Sequence, residues 1–246
     1  MKSTLVTLML LVSTLCPAAP VEDFTVKAQT IVRSQYVGFD DGLVFYPHAV
    51  LQGNVTLGHS SGFFLDLWYS SGFNSEWSTD FDDELDYTAG WAGKAGNLDL
   101  LVSVAYYDDF QVGSGPYNDV IKGNFRLGFP QTKLGSFTVT PFASYGIFLI
   151  PDSSTPFDGG NVFALGFDSE IKITDRLSIA SSTQLAWDDG VFGVKSGAFV
   201  KHASTVNFAF TPHLTWNALE ATVYIPFGGR GLQAEAVWGT GLSWSF

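Results

Sequence analysis

The sequence predicts an all-β fold, a closed antiparallel transmembrane β-barrel of about twelve up-and-down strands, from three observations. The chain ends on an alternating strand, segments of alternating polarity recur from Phe24 onward, and their connections are alternately long and short.

The closing stretch, Leu232 to Phe246, carries the first observation. Leu232, Ala234, Ala236, Trp238, Thr240, Leu242, Trp244 and Phe246 share one face at period two, and Gln233, Glu235, Gly239, Gly241, Ser243 and Ser245 share the other. A water-soluble domain usually ends in a frayed polar tail. A barrel in lipid has a use for a final strand with an oily face and an aromatic last residue, because that strand seals the sheet against the first.

Residues 1–18 read as a cleaved export signal, with Lys2, an apolar run from Leu5 to Val12 and small residues up to Ala18, leaving 19–246 as one domain. Cys16, the single cysteine, lies inside that segment, so the mature chain is expected to hold no disulfide and no cysteine metal site. Beyond the signal no apolar run reaches the roughly 18 residues of a membrane helix, so any membrane passage is by strands. A formal net charge of −12 with no basic stripe excludes nucleic acid as a partner.

The strands follow in order. Phe63, Leu65, Leu67 and Tyr69 alternate with Phe64, Asp66, Trp68 and Ser70, and Leu85, Tyr87, Ala89 and Trp91 with Glu84, Asp86, Thr88 and Gly90. Leu98 to Tyr106, Phe137 to Leu149, Phe163 to Ile171 and Leu219 to Phe227 repeat the pattern. Short turns are expected at Ser60 to Gly62, Gly93 to Asn97, Pro130 to Ser136, Thr174 to Asp175 and Trp216 to Ala218. Longer connections are expected at Ser34 to Leu43, Ser71 to Asp83, Asp108 to Asp119, Ile150 to Gly160, Trp187 to Ala203 and, shorter, Gly228 to Gly231. This places both termini at the short-turn end, the asymmetry of bacterial outer-membrane barrels.

Alternation alone does not say which face points inward, since a soluble barrel turns its oily face to the centre. The export signal argues for oily side chains outward. So do aromatics at stripe ends (Tyr106, Trp187, Trp91, Trp238, Phe246) and an opposite face too mixed for a solvent surface, with Phe64, Trp68, Tyr107, Phe142, Phe148 and Tyr224 on it.

Ser34-Gln35-Tyr36-Val37-Gly38-Phe39, Leu51-Gln52-Gly53, His59 to Phe63 with Trp68, Asp86 to Trp91 and Tyr106-Tyr107 are similar in order and spacing to the TorF-type porins of proteobacterial outer membranes. The resemblance covers roughly the first half of the mature chain, and implies an architecture and a location without catalytic residues.

With the oily face outward, the pore lining is expected to include Arg33, His48, Asp66, Glu84, Asp86, Asp99, Lys122, Arg126, Glu170, Lys172, Arg176, His213 and Glu220. Lys122 and Arg126 share one face of one strand, opposite the acidic Glu84, Asp86 and Asp99, an arrangement that sorts solutes by charge. The same charges, if paired, fill the barrel as a polar plug. A turn at Trp216 to Ala218 would set Glu220 beside His213. The long loops are acidic and aromatic (Trp77, Asp80, Phe81, Asp82, Asp83; Asp108, Asp109, Phe110, Tyr117; Asp152, Phe157, Asp158), suited to a cation-attracting mouth. The four histidines show no metal-ligand spacing, and no cofactor is implied.

One enzymatic alternative stands beside the channel. His202-Ala203-Ser204 matches the H-x-S pattern of barrel lipid-A deacylases and phospholipases, a base and nucleophile on one face of a strand, with Asp188 or Asp189 as the orienting acid. The leading expectation is an outer-membrane channel for passive diffusion of small polar or cationic solutes. Its partners are then outer-membrane lipid and lipopolysaccharide. The alternative is a non-conducting barrel acting as a lipid-modifying hydrolase or surface protein.

Overall fold

The computed structural model describes residues 23–38, 42–73, 83–109, 119–151, 158–227 and 229–246. In chain order the strands are β1 (Phe24–Arg33), β2 (Tyr36–Val37), β3 (Val44–Tyr46), β4 (Val50–His59), β5 (Phe63–Gly72), β6 (Asp83–Ala95), β7 (Leu98–Asp109) and β8 (Val120–Gly128). They continue as β9 (Thr132–Leu134), β10 (Phe137–Leu149), β11 (Gly160–Lys172), β12 (Leu177–Asp188), β13 (Gly197–Ala209), β14 (Leu214–Pro226) and β15 (Glu235–Ser245).

Twelve of these form one closed antiparallel barrel. Neighbours in sequence pair throughout, β10 pairs with β11, and β15 returns to β1 with Ala28 opposite Trp244 and Val32 opposite Thr240. The backbone of Phe246 extends that seam, exchanging hydrogen bonds with Val26 at 2.9 and 3.1 Å. No sheet edge is left open to lipid, the condition for strands to sit in hydrocarbon.

The outer wall is apolar. Phe63 is 65% exposed, Val104 56%, Trp187 55% and Trp238 63%, values that only a non-aqueous surrounding makes favourable. Leu100, Val223 and Leu242 share that outward parity in the strand registers. Aromatic residues mark both ends of the belt: Trp187 and Trp238 toward the long loops, and Phe24, Phe210, Trp216 and Phe246 toward the short turns.

Several boundaries differ from the sequence reading. β6 runs through Ala95, so the turn narrows to Gly96 and Asn97, with Gly96 at φ 64°. Pro130 to Ser136 contains β9, which pairs with β10 and extends the wall. β13 begins at Gly197, so the connection after β12 ends well before Ala203. The turn expected at Trp216 to Ala218 is inside β14, and the chain reverses at Phe210 to His213. The cause is a β-bulge: Val206 and Asn207 oppose Leu219 and Asn217, leaving Ala218 as an extra residue that interrupts the alternation.

The lumen has two storeys. Toward the long loops, the β2–β3 hairpin folds into the barrel, with Tyr36 opposite Tyr46 and Val37 opposite Val44. Val37 joins a buried apolar cluster with Val120, Phe148, Val162, Ala164, Ala186, Phe199, Tyr224 and Val237, contributed by β8 and β10 through β15. Val191, in a 3-10 turn at Val191–Gly193, completes it. Tyr36 and Tyr46 pack on Val50 and Trp68 of the opposite wall. Toward the short turns the inward side chains are mostly polar, with Phe142 and Leu101 among them.

Candidate functional site

The polar storey is built from cross-strand neighbours. On β4 and β5, Thr56 bonds Asp66, and Asn54 donates to the same carboxylate at 3.0 Å. On β8 and β11, Arg126 forms an ion pair with Asp168, which also accepts from Ser182 on β12 at 2.8 Å. The Arg126 guanidinium lies 3.8 Å from the centre of the Phe142 ring, a cation–π contact that fixes its height. A chamber of about 380 Å³ opens here, lined by Thr138, Thr140, Asp168, Glu170, Ser182 and Thr205 among others. Asn207, Asn217, Gln29 and Ser243 form a hydrogen-bonded ladder beside it, including Asn217 to Asn207 at 2.8 Å and Ser243 to Asn217 at 2.7 Å.

A second cavity of about 220 Å³ lies directly under the hairpin, between Arg33, Gln52, Lys201, Glu220 and the rings of Tyr36 and Tyr224. Arg33 bridges it, donating to Gln52 on β4 and forming an ion pair with Glu220 on β14.

The hairpin is locked from several sides. Tyr36 donates its hydroxyl to Glu84 at 2.6 Å. Burial, followed by the Glu84 carboxylate, raises the Tyr36 pKa well above the ordinary phenol value, so the hydroxyl stays a donor. Phe45 meets Phe192 edge-on at 5.7 Å, and Phe192 meets Phe148 at 5.6 Å, joining the hairpin to the 3-10 turn and the wall. Gly42, at φ 79°, turns the hairpin against Tyr224, whose Cβ is 3.1 Å from where a side chain would start.

The 3-10 turn is held by Asp188. Its carboxylate accepts from the backbone of Gly190 at 2.8 Å and Val191 at 2.9 Å, and forms an ion pair with Arg230, both side chains fully buried. Asp189 next to it accepts from Asn161, whose side chain and then backbone hold its carboxyl below the ordinary range.

The sequence-predicted lining residues divide. Arg33, Asp66, Glu84, Asp86, Lys122, Arg126, Glu170 and Glu220 have inward parity on the wall. Asp99 and Lys172 share that parity but stand exposed at the short-turn rim, and Arg176, His48 and His213 lie in connections. Asp99 pairs with Lys94 at 2.8 Å at the short-turn rim, both largely exposed. Lys172 and Arg176 are exposed at the end of β11 and in the following turn. His48 sits in the connection after β3, against the Tyr46 ring at 5.5 Å.

His213 corrects a specific expectation. It lies in the turn, 2.7 Å from the Ser245 carbonyl and stacked on Phe246, whereas Glu220 opposes Thr205 and pairs with Arg33. The bulge at Ala218 is the reason the expected pair does not form.

His202 and Ser204 are on the outer wall. His202 Nε2 is 2.9 Å from Ser204 Oγ, and Nδ1 is 2.8 Å from Thr183 Oγ1 on β12. The expected acids do not reach them: Asp188 points inward to Arg230, and Asp189 is taken by Asn161. Thr183 occupies the orienting position, a residue the sequence reading passed over because its pairing depends on register.

Trp77, Asp80, Phe81, Asp82, Phe110, Tyr117, Asp152 and Phe157 lie outside the described residues, as do the export-signal residues. Among the described residues, no group of three or more His, Cys, Asp or Glu is arranged to hold a metal ion.

No family model and no curated protein matches the chain. Solved structures do. The NanC porin is 13% identical with a TM-score of 0.55, over 89% of this chain and 98% of that one. The KdgM porin in complex with disordered oligogalacturonate is 8% identical at 0.54, over 90% and 99%. The COG4313 outer membrane channel from Pseudomonas putida F1 is 14% identical at 0.52, over 93% and 97%. At these identities the likeness is one of fold.

Proposed function

We propose that this chain is an outer-membrane channel of porin type, passing small polar or cationic solutes through a lumen that the β2–β3 hairpin narrows. The observation that carries the reading is a closed barrel, apolar outside, whose short-turn half encloses a polar chamber of about 380 Å³. The fold similarity to porins and to an outer membrane channel supports it. So does the TorF-type resemblance, because Tyr36, Val37 and Gly38, which carry part of it, belong to the inserted hairpin.

Charge argues for the solute class. Arg33, Arg126 and Arg230 are each paired with a carboxylate, so the excess acid behind the net charge of −12 lies outside those pairs. Asp66 is part of that excess. The net negative charge would repel a polyanion such as the oligogalacturonate in complex with one of the similar porins.

Planar-bilayer recording of the folded chain tests the reading. Discrete openings are expected, with larger steps when residues 38–43 are deleted. A silent membrane from both proteins overturns it.

A further inference from the structure

The outer wall across β11, β12 and β13 is apolar except at one level. Leu185 and Val200 stand above that level, toward the long loops, and Ile179 and Val206 stand below it. Between them the register sets Thr183 beside His202 and Ser181 beside Ser204, all with the outward parity of the exposed Leu185 and Trp187. Ser169 on β11 lies beside Ser181 and widens the patch.

These side chains form one continuous relay. Thr183 Oγ1 is 2.8 Å from His202 Nδ1, His202 Nε2 is 2.9 Å from Ser204 Oγ, and Ser204 Oγ is 2.8 Å from Ser181 Oγ. Neutral imidazole is a donor at one nitrogen and an acceptor at the other. With Nδ1–H donated to Thr183, Nε2 is left as the acceptor for the Ser204 proton, which is the tautomer a serine nucleophile needs. A wall whose task is only to meet hydrocarbon has no use for an ionisable side chain here, since polar groups facing lipid are destabilising.

We propose that Ser204, His202 and Thr183 form a serine esterase site on the lipid-facing wall, cleaving acyl esters of membrane lipids. Ser204 is the nucleophile, His202 the general base and Thr183 the positioning residue. The site is independent of the lumen, because its side chains point away from it.

Its place selects the substrate. Thr183 lies on the order of 10 Å below Trp187 along the barrel axis, so the site is reached from within the bilayer and not from bulk water. Esters carried on hydroxylated acyl chains lie deeper than glycerol esters, which favours the acyloxyacyl class. Polar side chains at this depth admit water and thin the bilayer locally.

The reaction balances with water as co-reactant. Ser204 Oγ adds to the ester carbonyl carbon as its proton passes to His202 Nε2, with the Ser181 hydroxyl placed to donate to the developing oxyanion. The bond to the lipid alcohol breaks, and the alcohol oxygen takes the proton from Nε2. Water then gives a proton to Nε2, its oxygen bonds the acyl carbon, and the acyl–Oγ bond breaks as Oγ regains that proton. A free fatty acid and a lipid short of one acyl chain leave.

The test uses the full folded chain in phosphatidylethanolamine–phosphatidylglycerol vesicles, with and without lipopolysaccharide, and measures free fatty acid. Release is expected, stronger with lipopolysaccharide. Ser204→Ala and His202→Ala should each lower the rate about 1000-fold or more. A fluorophosphonate probe should add its mass at Ser204. Thr183→Val should lower the rate about 10-fold or more and move the pH profile, while Thr183→Asn restores both. Each variant should keep wild-type conductance and folded gel mobility, so failure here leaves the channel reading standing. No fatty acid from either lipid, or release indifferent to Ser204→Ala, overturns the proposal. Loss of self-association in Ser204→Ala without hydrolysis overturns it too and assigns the patch to contact with a second copy.

Discussion

The Tyr36 hydroxyl reaches Glu84 on β6 at 2.6 Å, a buried hydrogen bond that ties the inserted hairpin to the barrel wall. Tyr36→Phe removes the donor and leaves a buried acceptor short of one partner, a loss of about 1–3 kcal/mol. The barrel seam and the apolar belt do not depend on it, so the protein should fold. The hairpin should leave the lumen about 10-fold more often, seen as longer openings in single-channel records. Unchanged open times would show that the rings of Phe45 and Phe192 hold the hairpin alone.

The hairpin tip offers a steric counterpart. A valine at position 42 would meet the Tyr224 ring and would also have to adopt φ 79°, which β-branched residues avoid. Gly42→Val should therefore raise conductance with Tyr36–Glu84 intact. Gly42→Ala should produce a smaller increase in the same records.

The Asp188–Arg230 ion pair has both side chains at zero exposure. Arg230→Met strands a carboxylate at zero exposure and should cost about 3–5 kcal/mol. Asp188→Asn keeps an acceptor for the Gly190 and Val191 amides but turns an amide N–H toward the buried Arg230 guanidinium, so it should cost a similar amount. Urea unfolding in detergent micelles, followed by gel mobility, would measure both; a loss under about 1 kcal/mol for either would contradict the pair's structural role.

Strand order and the oily exterior were legible because each strand has to alternate to face lipid on one side. Phe63, Leu65 and Leu67 against Phe64, Asp66 and Trp68 are enough to read β5 without any contact information. The hairpin was not legible, since Val37, Phe45 and Tyr46 resemble ordinary loop residues until the cavity they fill is known. Its trace was the inward aromatics Trp68, Phe148 and Tyr224, which a water-filled lumen would not carry and which the hairpin covers. The bulge at Ala218 hid a turn for a local reason: one extra residue reverses the parity on which the reading depends. Pairings such as Thr183 with His202 are set by register across separate strands, and no spacing within one strand reveals them.

Charge selectivity tests the wall of β8. Lys122 and Arg126 are both inward and are stationed over Phe148 and Phe142 at 5.2 and 3.8 Å. Replacing both with Glu changes the local charge by four units and leaves Asp168 without its partner. Reversal potentials in a salt gradient should then shift toward cations, more strongly at low ionic strength, where screening lengths are about 30 Å. An unchanged potential would place the conducting path away from this wall.

Phe246 closes the barrel by two means. Its backbone donates to and accepts from Val26, and its ring stacks on His213 at 6.1 Å with 6° between planes. Deleting Phe246 removes both backbone bonds from the β15–β1 seam and exposes amide groups at the short-turn rim, where lipid gives way to water. Phe246→Leu keeps the seam and loses only the ring stack. The deletion should slow formation of the compact, heat-modifiable form on dilution from urea into lipid, while Phe246→Leu should fold at close to the wild-type rate. Equal slowing by both would assign the terminal residue's role to its ring, and the seam would then close without its last pair.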